Sequence, residues 1–337
     1  MKELNIEEYI NTFTQFYGEE YRRAITKKLY NVEFVFLDDL FPTTDFSSIN
    51  INIYESEFNF DTLKTSYTNE EIIEKVTEKV ESLNIKGDKS HYIDSMVGLK
   101  NCTKNAAAYI TPFVKDNEEL SPSILCVLKS REEIESHNFY HELTHVIQSS
   151  FHNITKDGFE FHTGFNYQHQ QFNEQENEEQ VPQEQIDSII FNEVIIDYLT
   201  MQTMQSKISE VGTTYSHGFI FLKDFIEAYK PELIKCLMSD NAFEFQNIIG
   251  KENFKNLAKY TTEMVSYANS EAKLVWSISQ TLGIPIKSFS TFKQHFSEID
   301  KLDLPEKERG YVDCHKNLTI TTKNILKQKE NENYLGK

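Results

Sequence analysis

Apolar residues recur with two different periods along this chain. Leu4, Ile6, Tyr9, Ile10, Phe13 and Phe16 return at helical spacing, and "NVEFVFLDD" (31–39) and "ININIYE" (49–55) then alternate as half-buried strands do. The opening segment reads as mixed helix and strand. "TNEEIIEKVTEKVESLNIKG" (68–87) predicts a helix: Thr68 and Glu71 form a capping-box pattern, Ile72, Ile73, Val76, Val80 and Leu83 share one face, and Gly87 supplies a stop. "AAYITPFVKD" (107–116) and "SPSILCVLKS" (121–130) are short apolar runs bounded by turn residues, expected as sheet strands just ahead of a helix. That helix should run from about Glu132 to Ser150, with Ile134, Phe139, Leu143, Val146 and Ile147 as its apolar stripe.

Beyond it, "GFEFHTGFNYQ" (158–168) predicts a hairpin turning at Thr163-Gly164. Residues 168–185 lose nearly all apolar content and read as a mobile polar loop, either a surface insertion or a lid. Helical periodicity resumes at Ile186, with interruptions at Gly212, Pro231, Gly250 and Gly283 to Pro285, and the polar tail from Lys323 is expected to fray. The fold expected is α+β and predominantly helical, with a small mixed sheet and a helical carboxyl-terminal half. Three segments follow: an amino-terminal α/β part over 1–90, a part with sheet, helix and polar loop over 91–185, and a helical part over 186–337.

Charge narrows the partners. The formal balance is −19, and only Arg22, Arg23, Arg131 and Arg309 are arginine, so the basic surface that phosphate binding needs is missing and nucleic acid is not an expected partner. The first ten residues, "MKELNIEEYI", carry acids where a signal peptide has a basic head and an apolar run. No apolar stretch of about 18 residues is present, so no membrane span is expected. Cys102, Cys126, Cys236 and Cys314 are scattered, without a C-x-x-C pair, and read as reduced thiols. These features point to a cytoplasmic chain, with export by a non-classical route left open.

The candidate chemistry lies in "HNFYHELTHVIQ" (137–148). A helix turns about 100° per residue, so His141 and His145 project from one face roughly 40° apart and one turn removed. Two imidazoles so placed can reach one ion, and Glu142 beside them is offset enough to act on a water molecule without binding the metal. A metzincin arrangement needs Gly and His where the chain has Gln148 and Phe151, and His152 misses the place by one residue. Downstream, "FNEVIIDYLT" (191–200) holds Glu193 and Asp197 four apart among aliphatic residues, where a buried carboxylate calls for a partner.

With both motifs in view, the chain resembles the gluzincins, the thermolysin-like zinc metallopeptidases, in which H-E-x-x-H on one helix is completed by N-E-x-x-x-D on another. The resemblance covers these two motifs and implies a zincin-like fold holding one Zn2+. It implies that His141, His145 and Glu193 are metal ligands, that Glu142 is the general base, and that Asp197 orients His141. Ile196 stands where such peptidases often carry a small hydroxyl residue, and the segment between the motifs is longer than usual. Peptide hydrolysis also needs an oxyanion donor, for which Tyr215 and His217 in "TTYSHGF" are the candidates. Tyr198 is expected in the core and His137 in solvent, while His162 and His169 flank the hairpin without a fixed role. The expected activity is zinc-dependent hydrolysis of a peptide or protein. Zinc-dependent hydrolysis of another bond, a toxin-like peptidase acting on a host or foreign protein, and a catalytically inactive zinc-site binding protein on the same scaffold are the other readings.

Overall fold

A computed structural model describes residues 3–44, 67–101, 108–172, 182–206, 215–286 and 289–335. The expected strand at 49–55, the break at Gly212 and Cys102 lie outside them. The described chain is mixed α+β and predominantly helical. It divides into two units, Met1–Glu179 with Leu199–Ser206, and Gln180–Tyr198 with Lys207–Lys337.

The first unit opens with α1 (Ile6–Tyr17) and α2 (Arg22–Leu29), followed by β1 (Val32–Phe36), α3 (Leu37–Leu40), α4 (Asn69–Ser82) and α5 (Ser90–Asn101). β2 (Ala108–Val114) and β3 (Pro122–Leu128) complete a three-stranded sheet of order β1-β3-β2, with β1 parallel and β2 antiparallel to the central strand. Alternation along β3 gives the sheet two buried faces. Leu125 and Val127 join Ile72, Val76 and Val80 of α4 and Met96 of α5 in one core. Ile124, Cys126 and Leu128 point the other way and are equally buried.

That second face receives α6 (His137–Gln148), which packs on β2 and β3. Phe139 of α6 meets Phe34 of β1 edge-on at 6.1 Å and Tyr9 of α1 at 5.4 Å, and the Tyr9 hydroxyl donates to the Ile134 carbonyl just ahead of the helix. At the other end the Lys28 ammonium donates to the Ile147 carbonyl, one of the acceptors that a helix C-terminus leaves over. The sequence-based boundaries need correcting here. Arg131–Glu135 is a separate 3-10 turn, Ser136 caps α6 through the Phe139 amide, and Ser149 turns extended to begin β4 (Ser149–His152).

β4 pairs antiparallel with β5 (Gly158–Thr163), which pairs with β6 (Asn166–Gln171). The polar run was expected to be loop over 168–185, but residues 168–171 belong to β6 and residues 183–185 open α7 (Gln183–Thr203), while 173–181 lie outside the described residues. Pairing with β5 supplies the backbone ladder that a polar edge strand needs, and β6 remains half-buried to exposed along its length. α4 carries the expected capping box but ends at Ser82, short of Gly87. Gly87 has φ +84°, and a Cβ there would stand 2.4 Å from the Phe172 carbonyl oxygen, so it is required by the close passage of the chain leaving β6.

The second unit is helical. α8 (Ser216–Leu237), α9 (Phe245–Ile249), α10 (Lys251–Ser266), α11 (Glu271–Leu282), α12 (Phe289–Gln294), α13 (Phe296–Ile299) and α14 (Glu306–Leu335) follow the body of α7. α10 and α14 lie against α8, and Met264, Leu274, Ile278, Phe292, Ile299, Tyr311 and Val312 form a core. Two expectations fail. Pro231 sits inside α8, because Leu222, Phe225 and Ile226 before it and Leu233 and Leu237 after it are all buried and outweigh one missing ladder bond. The tail is helical through Leu335, because Lys329 reaches Glu232 at 2.9 Å and the Ala228 carbonyl, and Tyr229 donates to Ile325.

His315 of α14 is 2% exposed and ringed by Phe221, Phe292 and Phe296 at centroid distances of 5.2, 5.1 and 4.9 Å. Burial, and secondarily the Lys293 ammonium, pushes it down to about 4. A lowered value means that the unfolded chain takes up a proton first, so stability present above pH 6.5 is lost as the pH falls toward 4. The loss attributable to this residue is about 2–3 kcal/mol, and His315→Phe should remove it. Urea unfolding of both proteins at pH 7.5 and 4.5 checks this; an equal acid-induced loss in the two would assign the effect elsewhere.

Candidate metal centre

α6 is amphipathic in an unusual sense, since its buried side carries His141 and His145 at 8% and 7% exposure alongside Phe139, Leu143, Val146 and Ile147. The i, i+4 spacing and the buried surroundings bring their Nε2 atoms to 3.1 Å, with ring centroids 4.8 Å apart. Two nitrogens bound about 2.0–2.1 Å from a tetrahedral ion such as Zn2+ stand about 3.3 Å apart, so the pair is spaced for a shared ion.

The orientation of His145 is set from β5. The Thr163 hydroxyl donates to the His145 carbonyl oxygen at 3.2 Å, which leaves its oxygen lone pair to accept from His145 Nδ1 at 3.3 Å. Nδ1 then carries the proton and Nε2 presents its lone pair, the tautomer that a metal ligand needs. Sequence reasoning placed Thr163 only at a turn. The signal it missed is strand parity: Thr163 shares the inward face with Phe159 and Phe161, so its hydroxyl is buried and must find a partner.

The rotation of α7 is set in a similar way. Thr144 donates to the Tyr140 carbonyl at 2.8 Å and so accepts from the Thr200 hydroxyl at 3.0 Å; both threonines are fully buried. Glu193, Asp197 and Thr200 are spaced i, i+4, i+7 and so share one side of α7. His141, His145 and Glu193 each offer a ligand atom, and the three atoms lie within 4.8 Å of one another. Asp197 is fully buried, and its carboxylate groups in the same way with ring nitrogens of His137 and His141. His137, expected in solvent, is half-buried and its ring lies 6.4 Å from that of His141.

Glu142 is half-buried and lies outside both ligand groups. Burial, and then the nearby Glu142 carboxylate, holds the Cys126 thiol of β3 well above its usual range. Tyr198 is in the core as expected and donates to Glu227 at 2.5 Å. Tyr215 stands at the N-cap of α8 without a side-chain cap bond, and His217 lies in the first turn of that helix. His162 and His169 stand on β5 and β6, on the face opposite Thr163.

The donor set of two imidazoles and a carboxylate fits a borderline divalent ion, and the buried groups are able to hold one. No protein family, curated protein or solved structure matches the chain.

Loss of an outer partner typically weakens metal affinity about 10–100-fold. Thr163→Val, which keeps the shape and removes the hydroxyl, should therefore weaken zinc binding by that factor in a chelator competition, with the far-ultraviolet circular dichroism unchanged. Unchanged affinity would show that Thr163 does not orient the ligand.

Proposed function

We propose that this chain is a zinc-dependent peptidase of gluzincin type, with a zincin-like arrangement of sheet, α6 and α7. The observation that carries the reading is the convergence of His141, His145 and Glu193 with Glu142 on the intervening turn and outside the ligand set. His141, His145 and Glu193 would hold the ion, and Asp197 would fix His141. Zinc bound there would supply Lewis acidity and lower the pKa of coordinated water toward about 7.

The protein's own groups perform the rest. Glu142 takes the proton of the attacking water and passes it to the leaving amine, so one carboxylate serves as base and then acid. Tyr215 and His217, at the start of α8, are the proposed donors to the oxyanion that forms on the substrate carbonyl. A base next to an open coordination position has no use in a purely structural site, which favours the enzyme over an inactive binding protein.

Glu142→Gln should retain one zinc per chain and lose peptide hydrolysis by about 10²–10⁴-fold. Mass-spectrometric profiling on a peptide library together with metal analysis tests this, and equal turnover by wild type and variant would sink the proposal. Of Tyr215→Phe and His217→Gln, the one that removes the oxyanion donor should lower kcat by about 10²–10³-fold at unchanged zinc content.

A further inference from the structure

The β4–β5–β6 sheet has a second, outward face that the centre on α6 does not use. Strand register places His152 of β4 and His169 of β6 directly opposite Glu160 of β5, one on each side, and His162 two residues farther along β5 on the same face. Side chains opposite one another across strands have Cβ atoms about 4.5–5.5 Å apart, within chelating reach. The inward face carries Phe151, Phe159 and Phe161, whose rings meet at 5.5 and 5.0 Å, so the backbone beneath the histidines is held by a packed layer.

Two pairs of these side chains are already close, although the three ligand groups do not converge as those on α6 do. The His152 and His162 rings are 4.5 Å apart between centroids, against 4.8 Å for the His141 and His145 pair. Glu160 Oε2 lies 3.8 Å from His162 Nε2. The Ser150 hydroxyl lies 2.8 Å from His152 Nε2 and holds that nitrogen, which leaves Nδ1 as the atom to ligate. Glu160 and His162 are partly exposed, at 33% and 28% of their side-chain surface, which gives an ion access and gives Glu160 room to rotate onto it.

We propose that this outward face is a second divalent-metal site, with His152, His162 and Glu160 as ligands and His169 within reach as a fourth. Two imidazoles and a carboxylate select Zn2+, Cu2+ or Ni2+ over Mg2+ or Ca2+, which take oxygen ligands. The site needs no covalent or redox step and is independent of what the α6 centre does. It has one structural consequence for that centre. His162 is the chain neighbour of Thr163, so an ion tying β4 to β5 fixes the strand from which Thr163 holds His145.

The test is stoichiometry on the full chain, stripped of metal and titrated with Zn2+ and with Cu2+ by calorimetry. Wild type should take two ions, His152→Gln/His162→Gln one, and His141→Ala/His145→Ala one. Cu2+ bound to the last variant should show electron-spin couplings to two imidazole nitrogens. The His152 and His162 positions are partly exposed, so that double variant should keep the wild-type circular dichroism, and comparison with wild type alone decides the question if the α6 variant fails to fold. Equal ion counts in wild type and His152→Gln/His162→Gln overturn the second site and leave the peptidase reading standing. Two ions without peptide hydrolysis would do the reverse.

Discussion

The candidate centre on α6 depends on keeping two imidazole nitrogens 3.1 Å apart in a buried place. Helical spacing alone brings His141 and His145 to one face, but an exposed pair would sample many rotamers. Burial to 8% and 7% removes that freedom. α6 is therefore enclosed more fully than a surface helix: the sheet lies on one side, α1 reaches its first turn through Tyr9, and Lys28 of α2 holds its last. The polar contacts of Thr163 and Thr200 are placed where aliphatic packing gives no orientation, since a methyl group cannot specify which ring nitrogen carries a proton.

Local pattern carried much of the fold. The capping box of α4, the strands at 108–114 and 122–128, and the hairpin at 158–171 each follow from residues near one another in sequence, where propensity and period speak directly. The H-E-x-x-H stretch is also local, because one turn of helix suffices to define its geometry. What the sequence concealed is non-local. Thr163 is 18 residues from His145, and Thr200 is 56 from Thr144; each is one hydroxyl among many until the fold places it. Pro231 and the polar tail misled for a related reason. Local preference argued for breaks there, and contacts such as that between Lys329 and Glu232, 97 residues apart, outweighed it.

Strand parity gives β5 two occupations. Residues on its inward side build hydrophobic layers and end in Thr163, while those on its outward side are Glu160 and His162. Successive positions on one short strand thus belong to different chemical environments less than a side chain apart. His315 shows the same separation in the helical unit, where an imidazole among phenylalanines is kept neutral by its surroundings.

The thiols carry a consequence of their own. Cys126, Cys236 and Cys314 are all buried, and burial raises the pKa of each, so these three thiols are protonated at neutral pH. A protonated thiol is a poor ligand and a poor nucleophile, so these three sulfurs compete weakly with imidazole and carboxylate groups for an ion. Oxidants that need a thiolate therefore find these three sulfurs unreactive, and mild air oxidation should leave them as thiols.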